Sequence, residues 1–140
     1  MKAINFKFPL KESLYGFFES NFSVESGIIQ DFIILLQTDP GERVCMGDFG
    51  VGLRQFLFEP QTNDTKVRIK SIIIRQTKKY IPLIQSINPI IYFSSEIVLG
   101  NPLYGKVVLD DNSFFLNNQI TITNPAQNIQ IKKNVGLIIS

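Results

Sequence analysis

Histidine is absent from this chain of 140 residues, and cysteine occurs once, at Cys45. Without histidine there is no Ser-His-Asp or Cys-His arrangement, and the commonest general base near neutral pH is missing. A lone cysteine excludes an internal disulfide, which fits folding inside a cell, and no cluster of side chains has metal-ligand spacing. No cofactor, metal or small-molecule substrate is expected. Met1 to Leu10 lacks the charged region, apolar run and cleavage site of a signal peptide, and nowhere is there the run of about 18 apolar residues that spans a bilayer. The expectation is a soluble protein with no membrane partner, leaving the cell, if it does, by another route. A net charge of +2 and a pI near 8.7 are too small to call for nucleic acid. The nearest approach, Lys66, Arg68, Lys70, Arg75, Lys78 and Lys79, has the helical spacing of a solvated face.

Apolar residues are plentiful: 44% of the chain, with twelve Phe and 19% charged residues. The length suits one domain, 1–140, and the apolar load is heavy for it, so partners are expected to cover part of it. An aromatic segment, 1–22, with Phe6, Phe8, Leu10, Tyr15, Phe17 and Phe18, is interrupted by Pro9 and Gly16 and reads as an N-terminal arm. A helical half, 23–82, follows. Ile28, Ile29, Phe32, Ile33, Leu35 and Leu36 recur at helical spacing between Val24 and Gln37, with Ser23 or Ser26 as N-cap and Asp39-Pro40-Gly41 as the stop. Asp48 is the expected cap of a short second helix, 49–58, with Leu53, Phe56, Leu57 and Phe58 on its apolar side. Glu59-Pro60 ends it. A third helix is predicted from Asn63 to Tyr80, capped by Thr62 or Asn63, with Val67, Ile69, Ile72, Ile73, Ile74 and Tyr80 as its buried face and Pro82 beyond.

The remaining half, 83–140, has the texture of strands. Segments 87–93, 103–109, 114–123, 128–131 and 135–139 are separated by turn residues, and Asp110-Asp111-Asn112 and Lys132-Lys133-Asn134 read as hairpin links. Helices followed by a mostly antiparallel sheet describe an α+β domain. Cys45, with no base nearby, reads as a small buried residue. Gly47, Gly50 and Gly52 match no phosphate-binding motif and are read as turn residues. Glu42, Asp48 and Glu59 are the carboxylates a fold could bring together for glycosidase chemistry. The simpler reading has Glu42 paired with Arg43 or Arg54, Asp48 capping a helix and Glu59 solvated.

Three motifs in order, Leu36-Gln37-Thr38-Asp39-Pro40-Gly41-Glu42-Arg43-Val44, Asp48-Phe49-Gly50-Val51-Gly52-Leu53 and Leu57-Phe58-Glu59-Pro60, resemble the baseplate wedge family of contractile-tailed phages, the gene-twenty-five or W type. The resemblance runs from about Phe8-Pro9 to Phe93. Its physical content is structural: Pro40-Gly41 turns the chain, Glu42 and Arg43 anchor the loop, Phe49 and Leu53 one helical turn apart plug the core, and Pro60 ends the element. It implies a structural, non-enzymatic virion component that joins other wedge proteins around the hub and tube, with a fold similar to the inner domain of the sheath protein. Such a subunit starts the sheath by strand addition, in the tail baseplate, after assembly in the host cytoplasm. Val135, Leu137, Ile138 and Ile139, in an apolar terminal strand, are interface candidates that need a partner within the domain or outside it.

One departure bears on partners. The family's Glu-Pro-Arg after the third helix is here Ile81-Pro82-Leu83, with both charges replaced by apolar residues, which predicts a more hydrophobic contact there. Val51 likewise stands where the family often has cysteine or another small residue. The resemblance leaves three other readings: a peptidoglycan-cleaving, lysozyme-like enzyme, which needs two carboxylates across one cleft; a baseplate subunit of a type VI secretion or other phage-derived injection system; and a small regulatory adaptor, to which the long sheet half is ill suited.

Overall fold

In the computed structural model, described for residues 5–14, 18–21, 23–94, 113–124 and 129–139, the chain is α+β. A two-residue pair, β1 (Asn5–Phe6) and β2 (Ser20–Asn21), precedes α1 (Val24–Gln37), a 3₁₀ helix (Leu53–Phe58), α2 (Asn63–Tyr80), and the strands β3 (Ile84–Phe93), β4 (Phe114–Asn124) and β5 (Ile129–Ile139). The expected strand at 103–109 and the link at 110–112 lie outside the described residues, as do Tyr15 and Phe17 of the arm.

Both α-helices form where their apolar spacing requires. In α1, Ile28, Phe32, Leu35 and Leu36 are buried, the i, i+4, i+7, i+8 stripe of a helix with one face on a core. Ser23 precedes it in extended conformation but makes no side-chain cap; its carbonyl accepts from Gly27 N–H at 3.1 Å. In α2, Thr62 accepts from Thr65 N–H through its hydroxyl at 3.3 Å, which satisfies one orphan donor of the first turn. Thr65, Ile69, Ile73, Gln76 and Thr77 form the buried stripe, whereas Val67, expected inside, is 64% exposed. Val67 lies roughly 160° around the helix from Ile69, since two residues at about 100° each carry it to the far side.

The second helix differs from expectation. It is a 3₁₀ turn preceded by Gly52 in left-handed conformation, so Asp48 lies outside it and caps nothing. Leu53 and Phe56 are buried, but Phe58 is 87% exposed, because a three-residue period returns Phe56, not Phe58, to the face of Leu53.

The sheet has the order β3-β4-β5, antiparallel throughout. Register places Phe93, Phe114 and Ile139 in one row and Ile91, Leu116 and Leu137 in the next, and this face carries the buried residues that α1 and α2 cover. The two expected strands 128–131 and 135–139 are one: β5 runs through Lys132-Lys133-Asn134, paired with Thr121, Ile120 and Gln119. No hairpin is made there. Polar residues along an edge strand mimic a turn in sequence while keeping the ladder intact. Phe32, Leu35, Leu36, Leu53, Ile69, Ile73, Leu116, Ile120 and Ile122 are essentially inaccessible, each contributing about 1.5–3 kcal/mol by leaving water.

Candidate assembly interface

The first two motifs converge on the C-terminal end of α1, while the third engages the start of α2, through Glu59 with Arg68 and the Pro60 carbonyl with the Thr65 hydroxyl, both at 2.8 Å. Helix α1 stops at Thr38, whose hydroxyl donates back to the Ile34 carbonyl at 2.7 Å. Pro40 and Gly41, the latter at φ +93°, then occupy the centre of a turn closed by Glu42 N–H to the Asp39 carbonyl at 3.1 Å, the backbone requirement of a type II turn. Glu42 adds a second tie, its carboxylate accepting from Asp39 N–H at 2.9 Å. It thus anchors the loop through backbone rather than through Arg43 or Arg54.

The next segment returns to the same helix end. Val51 N–H donates to the Leu35 carbonyl and Gly52 N–H to the Thr38 carbonyl, both at 3.2 Å, so carbonyls that a helix terminus leaves orphaned are satisfied by the loop. Gly50 makes this possible. Its φ is +112°, and a Cβ there would lie 2.3 Å from the Thr38 carbonyl oxygen. Val51 is buried beside this contact. Cys45, expected inside, is exposed and left-handed at φ 65°, at the outer bend of a turn in which Met46 N–H reaches the Arg43 carbonyl.

Asp48 has a different task from the expected one. Its carboxylate accepts from Lys79 and, at 2.7 Å, from the Tyr80 hydroxyl, tying the loop to the end of α2. The Lys79 ammonium first, and then the Tyr80 hydroxyl, hold the Asp48 carboxyl below the usual range. Gln76 donates to the Asp48 backbone carbonyl at 3.0 Å. Phe49 is buried, meets Tyr80 edge-on at 4.9 Å between centroids, and carries the Arg43 guanidinium over its ring at 4.5 Å. Phe49 and Leu53 both enter the core, but from either side of Gly50 and Gly52 rather than from one helical turn.

Beside this knot opens a groove of about 380 Å³ lined by Ile28, Asp31, Ile34, Arg43, Phe49, Tyr80, Ile81, Pro82 and Leu83. Its floor is apolar. Asp31 is the one carboxylate among the lining residues, and partial burial pushes its pKa up, opposed by an Asn5 hydrogen bond and the Arg43 charge. The carboxylates proposed for glycosidase chemistry are engaged elsewhere: Glu42 with Asp39 N–H, Asp48 with Lys79 and Tyr80, and Glu59, which is not simply solvated, with Arg68 at 2.8 Å.

Residues 23–88 match the family profile described as baseplate wedge protein gp25. Over this segment, a little under half of its length, the chain is similar to the gp25 family. No curated protein sequence matches significantly. Among solved structures, the chain is similar to a Geobacter sulfurreducens protein provisionally named a tail lysozyme, with 20% identity and a TM-score of 0.57 over 86% of this chain and 95% of that one. It is also similar to a chain of the six-fold symmetrised baseplate of the anti-feeding prophage, with 23% identity and a TM-score of 0.56 over 84% of this chain and 81% of that one. At these identities the likeness is one of fold.

The matched segment thus contains the whole loop-to-helix knot and ends inside β3. Of the apolar residues in place of Glu-Pro-Arg, Ile81 is buried while Leu83 is 40% exposed, and all three line the groove. Beyond the matched segment, β5 is an edge strand among the described residues. Val135 and Ile139 face the core, Leu137 packs partly against it, and Ile138 is exposed.

Gln30 ties the arm to α1 without any signal in its sequence surroundings. Its side chain accepts from Phe8 N–H at 3.0 Å and from Asn21 at 2.9 Å, and donates to the Phe6 carbonyl. One amide on α1 thereby satisfies the backbone of the arm on both sides of Lys7, as a neighbouring strand would, and leaves Phe6, Phe8, Leu10, Leu14 and Phe18 exposed. A polar residue on the outer side of a helix carries no signal in sequence that it holds backbone from 22 residues away.

Proposed function

We propose that this protein is a structural wedge subunit in the inner baseplate of a contractile injection system, joining neighbouring wedge proteins and offering the sheath its first strand-pairing edge. The observation that carries this reading is β5: among the described residues an edge strand, attached to a gp25-like body, whose last five residues, Val135-Gly136-Leu137-Ile138-Ile139, are apolar. An edge of that kind is a template for a foreign strand. The groove at Ile81 and Leu83 supplies a second contact, for apolar side chains of a wedge neighbour. Hub, tube and sheath proteins are the expected company, in the tail baseplate, with assembly in the cytoplasm of the producing cell.

The test is copurification from producing cells with an N-terminal tag, which leaves β5 free. Wild-type protein is expected to bring sheath, tube and wedge proteins, the Ile138→Lys variant to lose sheath while keeping wedge proteins, and the unfolded Leu53→Asp variant to lose all. Peptidoglycan lysis by the purified chain, abolished by Asp31→Ala, with no copurifying sheath or wedge protein, would replace this reading with the lysozyme one.

A further inference from the structure

The outer face of α2 carries charge that the fold does not use. Six cations lie between Lys66 and Lys79, and the sequence has no Asp or Glu from Thr65 to Tyr80. Three of them have evident tasks on the flanks of the helix: Arg68 pairs with Glu59, Lys79 pairs with Asp48, and Lys66 lies over the Phe93 ring at 4.9 Å. Lys70, Arg75 and Lys78 have no ion pair or hydrogen bond from their side chains among the described residues.

Their neighbours distinguish this face from an ordinary solvated one. Val67, Ser71, Ile74 and Lys78 follow one another at i, i+4, i+7 and i+11, which places them in a single row along the helix. Val67 is 64% exposed and Ile74 is partly so. A solvated helix commonly puts carboxylates four residues from its lysines; here Lys70 and Lys78 both have Ile74 at that distance. Lys78 gains something from the negative end of the helix dipole, but Lys70 and Arg75 lie too far from that end to do so.

We propose that the outer face of α2 docks an acidic amphipathic helix of a partner protein. Its apolar seam would cover Val67 and Ile74, and its carboxylates would meet Lys70 on one flank, Arg75 on the other and Lys78 at the end of the row. This is the arrangement by which paired helices combine an apolar seam with charged edges. The helix is about 27 Å long at 1.5 Å per residue, which leaves room for several turns of a partner. The inference rests on the chain being an assembly subunit, and it concerns a surface separate from β5 and from the groove.

The experiment places a photoreactive benzoylphenylalanine at Ser71, the exposed centre of the row, in the tagged full-length protein within assembled particles. The expected product is a crosslink to one protein segment with acidic residues at helical spacing. Its yield should fall about tenfold or more in K70E/R75E/K78E, as losing a few weak charge contacts together implies, while the variant's melting temperature and circular dichroism stay unchanged. Charge reversal in the crosslinked segment should restore it. Copurification of sheath and wedge proteins without a Ser71 crosslink, a crosslink indifferent to the charge reversal, or a crosslink to nucleic acid or lipid would overturn this inference and leave the assembly reading standing. Loss of copurification with wild-type protein would instead overturn that reading.

Discussion

Three glycines of the motif loop separate two costs usually measured together. Gly47 has an ordinary φ and open space around its Cβ position, Gly41 has φ +93° and open space, and Gly50 has φ +112° with the Thr38 carbonyl oxygen at 2.3 Å. Alanine at Gly47 is expected to be neutral or to stabilise by about 0.4–1 kcal/mol, through the reduced entropy of the unfolded chain. At Gly41 the same gain is opposed by about 1–3 kcal/mol of backbone strain, a net loss of roughly 0.5–2 kcal/mol. At Gly50 the methyl group also displaces backbone. The segment must withdraw from α1, and the bonds from Val51 to Leu35 and from Gly52 to Thr38 each contribute about 1 kcal/mol. The net loss is then about 2–5 kcal/mol. For a chain of this size about 1 kcal/mol moves Tm by roughly 3 °C, so the three variants should melt in the order Gly47→Ala, Gly41→Ala, Gly50→Ala over roughly 10 °C or more. Urea titration of the same set gives the free energies directly. If Gly50→Ala is no worse than Gly41→Ala, the close approach of loop and helix end is not what fixes glycine at this position.

Stability should also depend on pH through two carboxylates with opposite signs. The Asp48 pKa is depressed by Lys79 and Tyr80, so its contribution is full above the ordinary carboxylate value and is lost as pH falls through the lower folded pKa; Asp48→Asn should flatten the acid limb of the denaturation midpoint against pH. The Asp31 pKa is raised by burial, so its ionisation costs stability as pH rises through the unfolded and then the folded value, and Asp31→Asn should gain stability relative to wild type at about pH 6. An acid limb unchanged in Asp48→Asn would remove the proposed tie to α2. Thr62→Ala should cost about 1 kcal/mol by removing the α2 cap, read from urea midpoints, with no loss expected in Thr62→Ser. Gln30→Ala should leave the melting of the core within about 1 kcal/mol while raising amide exchange at Phe6 and Phe8; slow exchange there in the variant would mean that the arm is held by something else.

Both α-helices were legible to the residue because periodicity and punctuation agreed in them: Leu35 and Leu36 before Asp39-Pro40-Gly41, and Thr62 before α2. The loop between them was harder to read. Asp48 in front of Phe49 looks like an N-cap, and only the path of the chain past Gly50 and Gly52 shows that the helix starts later and that the carboxylate reaches Lys79 and Tyr80, more than 30 residues away. Lys132-Lys133-Asn134 has turn composition, and nothing local distinguishes a link from a polar stretch of edge strand. Asp31 entered the groove unannounced for a related reason, since its surroundings come from the loop and the end of α2 and not from its own helix.

The lysines halfway along β5 have a consequence for timing. On the strand-addition proposal they leave the apolar residues 135–139 as the stretch for a foreign strand, about 17 Å, and a strand pairing that short is marginal when nothing else supports it. A free subunit therefore has little tendency to stick to another by its edge alone. Under that proposal pairing would last only when a second contact delivered the partner at the same moment, so the edge would work as a coincidence detector, silent on a stray subunit and committed within a growing particle.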